Sequence, residues 1–404
     1  MFIDRRSLLT GTGALSALSL FAAAQPAPAA SGGAGPRCAC ACQGQTLVVP
    51  ASLAVTAVPV PAGRATNSWP QGKLAARASG SLVLGLNSGT AHISTDKDPM
   101  VSISDDGGCS WTTPAPIVTG ENNARGTDAW ALGVDDQDVL WAIVRSRGAT
   151  NAVGTTRHTL YRSTDGIAWS AQLVLDAVQQ GGFVPELFHD LEFVAGRMVT
   201  GYHFAASSRL GFAGFDPSDP AGTFDWIDVI AHGDPSNPPV TWCEPTISWD
   251  RVGGRIIGGL RTQLASGAPT QLYEMGENLS GFARWAAPES VRYSPLPVVR
   301  VGDVVHGVLM DRLTTGRLTL WSSPVEGFDS HDASTMTPVR IGDLLPAPIT
   351  GSSEAGVPAM TVAGDVVHIA FAVEYADGSS RVYTARFDTA GSHRVLTPEM
   401  LAAL

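Results

Sequence analysis

The sequence predicts an all-β fold in which short strands alternate with tight turns, and three observations support this prediction. Glycine and proline are abundant, at 44 and 27 of 404 residues, as expected where a chain turns often. Only 16% of the residues are charged, and no long segment repeats its apolar residues every 3.6 positions, which argues against a helical bundle. Short runs of β-prone residues, many of them preceded by a Gly or Asp turn, recur from about residue 48 onward.

The first 30 residues have the features of an export signal and are excluded from the fold. Arg5 and Arg6 precede an uncharged run from Leu8 to Ala24, where small residues suit a signal peptidase. The paired arginines favour twin-arginine export, and a Sec signal or an uncleaved anchor remains an alternative. No later segment reaches about 18 consecutive apolar residues. We therefore expect a periplasmic or secreted protein without a stable membrane span after processing.

Residues 31–47 are expected to form a flexible segment that contains Cys38, Cys40 and Cys42. No nearby histidine completes a standard zinc pattern, so we expect a partly oxidised segment and no metal site. Nothing in the sequence predicts a cofactor. Cys109 and Cys243 are expected to be buried thiols.

Residues 48–404 are expected to form one β-propeller. Segments such as "GRMVTGYHF", "GRIIGGLRT" and "GDVVHIAFAVEY" recur at roughly 45 to 65 residue intervals, and no domain-sized linker interrupts them. Two turns, "SISDDGGCSW" and "YRSTDGIAW", carry a Ser, Asp, Gly and Trp pattern. They resemble the Asp-box of sialidase-type propellers, a structural hairpin in which Asp bonds backbone amides and Gly takes a positive φ.

A larger block resembles the sialidase superfamily more specifically. In "WCEPTISWDRVGGRIIGGLRT", Glu244 and Arg261 match the acid and the arginine of the sialidase strand, turn, strand block, and Arg312 matches a second arginine. Collinear similarity over most of residues 111–375 is closest to the catalytic propeller of bacteriophage endosialidases, the polysialic-acid depolymerases. The resemblance implies a six-bladed sialidase-type β-propeller with Asp-box hairpins.

The residue types at these positions suit the chemistry of a sugar acid. Sialic acid carries a carboxylate on its anomeric carbon, and an arginine fork donates two parallel hydrogen bonds to such a group. Arg261 and Arg312 are therefore the predicted clamp, with Lys73 or Arg77 as substitutes for a third arginine that is not evident. Glu244 would stabilise the developing positive charge, orient an arginine or take a proton from water.

The catalytic acid and the nucleophile are less clearly marked. Exo-sialidases use a tyrosine nucleophile, whereas the corresponding turn here reads "SSEAGVPAM" and contains no tyrosine. Endosialidases also lack it, so direct displacement by water with inversion is expected. Asp98, with its neighbour Asp96, and Asp128 are candidate proton donors, and each has an alternative role as a turn residue.

The segment "GYHFAASSR" matches a block of the same family and supplies further candidates. Tyr202, His203 and Arg209 are expected to bind substrate in a glycan groove, with a hydrogen-bonded core histidine as the alternative for His203. Glu244 and Arg261 also have a structural alternative, a buried ion pair that fixes strand register.

These observations predict an exported glycoside hydrolase that cleaves sialic acid or related nonulosonic-acid glycans. The alternative is a propeller that only binds acidic glycans. The formal net charge of −11 argues against nucleic acid as a partner. The sequence leaves the oligomeric state open.

Overall fold

A computed structural model describes the chain as an all-β protein. The residues that it describes are 47–50, 53–61, 68–90, 96–118, 130–146, 156–175, 184–204, 209–222, 224–231, 242–262, 269–287, 295–310, 318–332, 334, 337–340, 357–374, 379–389 and 393–396. The predicted export signal lies outside this part of the chain, and so does the predicted cysteine segment apart from Leu47.

The strands form antiparallel units that follow one another along the chain. The first unit contains β3 (Ser68–Ala76), β4 (Leu82–Ser88), β5 (Asp98–Ser104) and β6 (Ala115–Pro116). The next contains β7 (Trp130–Val134), β8 (Leu140–Ser146), β9 (Arg157–Ser163) and β10 (Ser170–Leu175). Then come β11 (Glu186–Val194), β12 (Arg197–His203), β13 (Leu210–Phe215) and β14 (Asp225–Ile230). One parallel pairing, between β7 and β11, joins these last two units into an eight-stranded sheet.

The second half of the chain repeats this organisation. One unit contains β15 (Trp242–Pro245), β16 (Ser248–Asp250), β17 (Arg255–Thr262), β18 (Gln271–Gly276) and β19 (Ala283–Ala286). Another contains β20 (Val298–Val301), β21 (Val304–Met310), β22 (Leu318–Pro324) and β23 (Thr337–Arg340). The last contains β24 (Ala359–Ala363), β25 (Val366–Glu374), β26 (Ser380–Asp388) and, from the N-terminal side, β2 (Ala54–Ala57). A short pair consists of β1 (Leu47–Pro50) and β27 (His393–Leu396), and one helical turn, α1 (Val325–Asp329), follows β22.

The first strands of successive units lie side by side in a closed ring, which is a β-propeller arrangement. β3 contacts β7, and β7 contacts β11. β11 then contacts β15 and β16, β16 contacts β20, β20 contacts β24, and β24 returns to β3. Because β2 pairs with β26, segments from both ends of the domain complete the same sheet. Opening the ring would break that pairing, so β2 helps to hold it closed.

The hydrophobic core lies between neighbouring units rather than within one sheet. Trp141 of β8 packs edge-on against Phe215 of β13, with ring centroids 5.3 Å apart. Leu84 of β4 shares a cluster with Ala370 of β25, which joins the first unit to the last. Inward-facing side chains of adjacent sheets therefore pack face to face, and their burial favours closure of the ring.

Two glycines allow neighbouring units to approach each other closely. A Cβ at Gly133 would lie 1.6 Å from the carbonyl oxygen of Leu191, beside the contact between β7 and β11. A Cβ at Gly259 would lie 2.4 Å from the carbonyl oxygen of Leu296. Any larger residue would push these strands apart, which explains glycine inside a strand at both positions.

The two Ser, Asp and Gly turns are held by local hydrogen bonds. Asp106 accepts a bond from the Ser104 hydroxyl at 2.8 Å, and the Gly108 N–H donates to the same hydroxyl oxygen at 2.8 Å. Asp165 and Ser163 make a similar bond at 3.0 Å in the second turn. Gly108 has a φ of 84°, where glycine is favoured because it has no Cβ.

The cysteine prediction is confirmed for Cys243, which is buried, and is wrong for Cys109, which is exposed. Cys109 lies within the first of these turns, where the short loop between strands leaves it uncovered by a neighbouring sheet. Among the described residues no helix is long and apolar enough to cross a membrane.

Candidate active site

Glu244 sits at a distortion of the backbone. β15 pairs with β17 through Cys243 opposite Arg261 and Pro245 opposite Leu260, so Glu244 is the extra residue of a β-bulge. Its φ is +46°, in the left-handed region that a residue with a Cβ rarely adopts. Such a conformation costs about 1–3 kcal/mol, and strain of this kind is concentrated at functional sites.

The strained glutamate is paired with the predicted arginine. Nε of Arg261 lies 3.1 Å from Oε2 of Glu244, and the two side chains are only 9% and 8% exposed. The same Nε–H donates to Sγ of Cys243 at 3.4 Å. Oε2 of Glu244 receives no well-aligned hydrogen bond within the described part of the chain, although it is at ion-pair distance. Glu244 and Arg261 therefore contact each other, an arrangement that both the catalytic prediction and its structural alternative require, and the sulfur of Cys243 shares the contact.

His203 lies against this pair at the end of β12. Its Nε2 is 3.6 Å from Oε2 of Glu186, the residue opposite it on β11. Burial lowers the pKa of His203 to about 3; Glu244 acts in the opposite direction, and Arg261 and Arg145 lower it further. The imidazole is therefore neutral near pH 7.

A second ion pair lies deeper than the first. Nη1 of Arg145, on β8, is 2.9 Å from Oε1 of Glu186, and both side chains are 0% exposed. Sequence reasoning missed both residues. One feature of the sequence could have indicated Arg145: it lies inside the apolar strand "VLWAIVRS". Because an unpaired charge is too costly to bury, an arginine in a buried strand requires an acidic partner.

Another buried histidine, His189, is affected by charges from both Lys73 and Arg261. His189 has a φ of 71° and lies in an irregular part of β11. Burial holds the pKa of His189 well below its usual range, and the charges of Lys73, Arg261 and His203 lower it further. Lys73 is buried, with its Nζ 4.8 Å from the ring centroid of Trp130. Lys73 and Arg261 therefore both act electrostatically on His189, although they lie on different strands.

These residues share one end of the propeller, which we call the site end. Arg145, His203 and Arg261 are at or near the last residues of β8, β12 and β17. Glu186 and Glu244 are near the beginnings of first strands. Because the strands are antiparallel, these positions coincide at one end of the units. The opposite end, which we call the turn end, carries the Asp106 and Asp165 turns.

The remaining predicted residues have varied positions. Asp98 is buried at the first residue of β5, opposite Ser88, and so belongs to the site end. Asp96, beside it, accepts hydrogen bonds from Thr90. Arg312 and Asp128 lie outside the described residues. Their roles stay predictions.

Tyr202 and Arg209 belong to a separate network. The Tyr202 hydroxyl donates to Asp228, and Nε of Arg209 donates to the same carboxylate at 2.7 Å. Successive residues of a strand face opposite sides, so Tyr202 points away from His203. Arg77, a substitute for the third arginine in the sequence analysis, instead binds Asp138 at the turn end, 3.1 Å away.

A cavity of about 380 Å³ lies at the turn end and includes Glu192, Trp249 and Arg251 in its lining. Burial raises the pKa of Glu192 to about 7, although Arg251 and the Trp249 N–H favour the charged form. None of the predicted site residues lines this cavity.

One group within the described residues has the composition of a metal site. A ligand atom from each of His203, Cys243 and Glu244 lies within 4.8 Å of the others, and all three residues are buried. Taken with the acid and arginine pair, the site end holds groups suited to binding an anion or a cation.

This architecture matches solved structures, although the sequence matches no known family. No family model and no curated protein matches the sequence. Among solved structures, the phage phi92 endosialidase aligns with a TM-score of 0.67 at 13% identity, covering 86% of this chain and 74% of that one. A protein of unknown function from Dyadobacter fermentans DSM 18053 aligns with a TM-score of 0.62 at 13% identity, covering 84% and 99%. Trypanosoma rangeli sialidase aligns with a TM-score of 0.59 at 12% identity, covering 84% of this chain and 60% of that one.

The protein is therefore a β-propeller with an acid and arginine pair at one end. Its fold is similar to that of a phage endosialidase and to that of Trypanosoma rangeli sialidase. At 12–13% identity these likenesses establish the fold, and the activity has to be argued from the site.

Proposed function

We propose that the protein is a glycoside hydrolase that cleaves sialic acid or a related nonulosonic acid from a glycan. One observation carries the proposal: the buried contact of 3.1 Å between Glu244 and Arg261, made by a glutamate in a strained backbone conformation. A purely structural pair would not require that strain, because the same strands can pair without a bulge.

Arg261 is the proposed first contact of the substrate carboxylate. Glu244 contacts the guanidinium through Nε, and a guanidinium can donate to a carboxylate through its two terminal nitrogens. That geometry suits two parallel hydrogen bonds to a carboxylate. Arg312 is the proposed second contact and Lys73 the third, with Lys73 supplying a point charge rather than a fork.

Glu244 is the proposed catalytic carboxylate. It would stabilise positive charge at the anomeric carbon or remove a proton from the attacking water. His203 supports this role because its neutral ring can exchange a hydrogen bond without adding charge beside Arg261. Asp98 or Asp128 would protonate the leaving group. With no tyrosine in the "SSEAGVPAM" turn, we infer direct displacement by water with inversion.

Further expectations form part of the same proposal. We infer six blades, counting the eight-stranded sheet as two, and the hydrogen bonds within the Asp106 and Asp165 turns favour their identification as Asp-boxes. We also infer export through the N-terminal arginine pair. Binding of substrate by Tyr202 and Arg209 stays a prediction from the sequence, because both side chains bond Asp228 in the structure. An acidic-glycan-binding protein without hydrolysis is the second candidate, favoured by the missing tyrosine.

The decisive assay offers purified protein two substrates: polysialic acid and a monomeric fluorogenic sialoside. Oligomers released only from the polymer would support endo cleavage, and release from the monomer alone would support exo cleavage. Arg261→Lys retains a charge without the fork and is expected to lower kcat/KM by about 10². Arg162→Lys, at an exposed position of the turn end, is the matched control. Polymer binding without any product would replace hydrolysis by the binding function, and neither binding nor product would end the proposal.

A further inference from the structure

Three different donor atoms converge beside Arg261. The ligand atoms of His203, Cys243 and Glu244 are all within 4.8 Å of one another, and each residue is buried. Imidazole nitrogen, thiolate sulfur and carboxylate oxygen are the ligands that Zn²⁺ takes in proteins, at distances that separate neighbouring ligand atoms by roughly 3.5 Å. A closure of about 1 Å by side-chain rotation would therefore complete a three-ligand site. We propose that these residues bind Zn²⁺ or a similar thiophilic divalent cation.

The bulge at Glu244 explains how neighbouring residues supply two of the ligands. In a regular strand, Cys243 and Glu244 would point to opposite faces. Here both approach the same nitrogen: Nε of Arg261 is 3.4 Å from the sulfur and 3.1 Å from the carboxylate oxygen. The extra residue and its φ of +46° bring both side chains to one side of the strand. The strain therefore creates a shared donor set.

Arg261 and a cation compete for the same two atoms. When a metal binds, the thiol proton of Cys243 passes to solvent and the guanidinium gives up its contacts with the sulfur and Oε2. A bound cation would also occupy Glu244, so it would inhibit the proposed hydrolysis. That inhibition rests on the proposed function, whereas the metal site itself does not.

Cobalt is the test, because a thiolate bound to Co²⁺ gives a near-ultraviolet charge-transfer absorption. The full chain carrying Cys38→Ser, Cys40→Ser and Cys42→Ser is titrated with Co²⁺, then with Zn²⁺. One Co²⁺ per chain with this absorption, displaced by Zn²⁺, is expected. Cys243→Ser in that background should remove the band, and Cys109→Ser, at the exposed cysteine, should leave it unchanged. Absence of the band in the parent, or its persistence without Cys243, would overturn the proposal.

A second substitution is expected to strengthen metal binding, whereas Cys243→Ser weakens it. Arg261→Gln removes the competing positive charge and should tighten Co²⁺ binding roughly tenfold. Unchanged or weaker Co²⁺ binding would contradict the proposed competition between Arg261 and the cation. If Cys243→Ser fails to fold, X-ray absorption spectroscopy of the Zn²⁺-loaded parent replaces it. The spectrum should show one sulfur and at least one imidazole bound to the metal, and any other set of ligands would reject the site.

Hydrolysis is measured separately with a chelator present. Activity without metal binding would reject only the metal site, and metal binding without activity would reject only the hydrolase.

Discussion

Both ends of the propeller carry acidic side chains, but these are stabilised by different partners: the exposed Asp106 by its own turn, and the buried Glu186 and Glu244 by arginines. At the turn end, Asp106 is stabilised within its own turn: bonds from the Ser110 hydroxyl and N–H, and from the Ser104 hydroxyl, lower its pKa to about 2. At the site end, Glu186 and Glu244 are paired with arginines from other strands. The charge of Asp106 therefore serves local folding, whereas the pairing of Glu186 with Arg145 depends on neighbouring units coming together.

The site end itself contains two kinds of ion pair. Arg145 and Glu186 are completely enclosed and lie on strands of neighbouring units. Glu244 and Arg261 keep a small exposed edge and include a strained residue. We interpret the enclosed pair as the support of the site and the other pair as the part that reaches substrate.

The largest expected effect is the loss of activity in Glu244→Gln. A neutral amide can neither stabilise an oxocarbenium ion electrostatically nor accept a proton from water, so kcat should fall by about 10³. Glu277→Gln, an exposed position at the turn end, is the control in the same assay. A variant retaining more than a tenth of wild-type kcat would remove Glu244 from the mechanism.

Arg145→Met tests the supporting role of the enclosed pair. It leaves Glu186 as an uncompensated buried charge, so the free energy of unfolding should fall by about 3 kcal/mol in denaturant titrations. Adding Glu186→Leu should restore much of the loss, because no charge is then left buried. Arg251→Met, on the exposed turn end, should cost under about 0.5 kcal/mol. Equal effects of Arg145→Met and Arg251→Met would erase the distinction between the two ends.

Strain at Glu244 predicts an unusual order of stability between two variants. Glu244→Ala and Glu244→Gly both remove the carboxylate, but only glycine accepts a φ of +46° without cost. We expect Glu244→Gly to be more stable than Glu244→Ala by about 1 kcal/mol, the reverse of the order in a regular strand. Ala195→Gly, with a φ of 48° in an exposed turn, should stabilise to a similar extent. The ordinary order, with alanine more stable, would show that the bulge relaxes.

The smallest effect concerns His368, beneath the first turn. Burial, and then Arg386, lowers its pKa to about 4, compared with about 6.5 in the unfolded chain. The folded protein thus binds fewer protons between these values, so stability falls as the pH drops from 6.5 to 4. His368→Gln should reduce this fall, by about 1 kcal/mol after screening. Thermal unfolding at pH 7 and pH 4.5 measures the difference, and an identical pH dependence in both proteins would contradict the assigned burial effect.

The sequence predicted the contact between Glu244 and Arg261 at the site end, and the residues that it missed there share a physical feature. Glu244 and Arg261 could be paired because they lie on strands joined by a short turn, so their meeting is a local event. Arg145, Glu186 and His189 could not, because their convergence depends on how separate units pack around the ring. The sequence also predicted Cys243 as a buried thiol without relating it to Glu244, since only the bulge puts neighbouring side chains on one face.

By itself, the sequence determined the all-β class, the hairpin turns and the acid and arginine block, because strand periodicity, turn chemistry and short-range pairing act over a few residues. The closed ring, the enclosed Arg145 and Glu186 pair and the strain at Glu244 were decided by the tertiary structure. Each requires contacts between segments far apart in the chain, which form only when hydrophobic packing between neighbouring units brings their ends together.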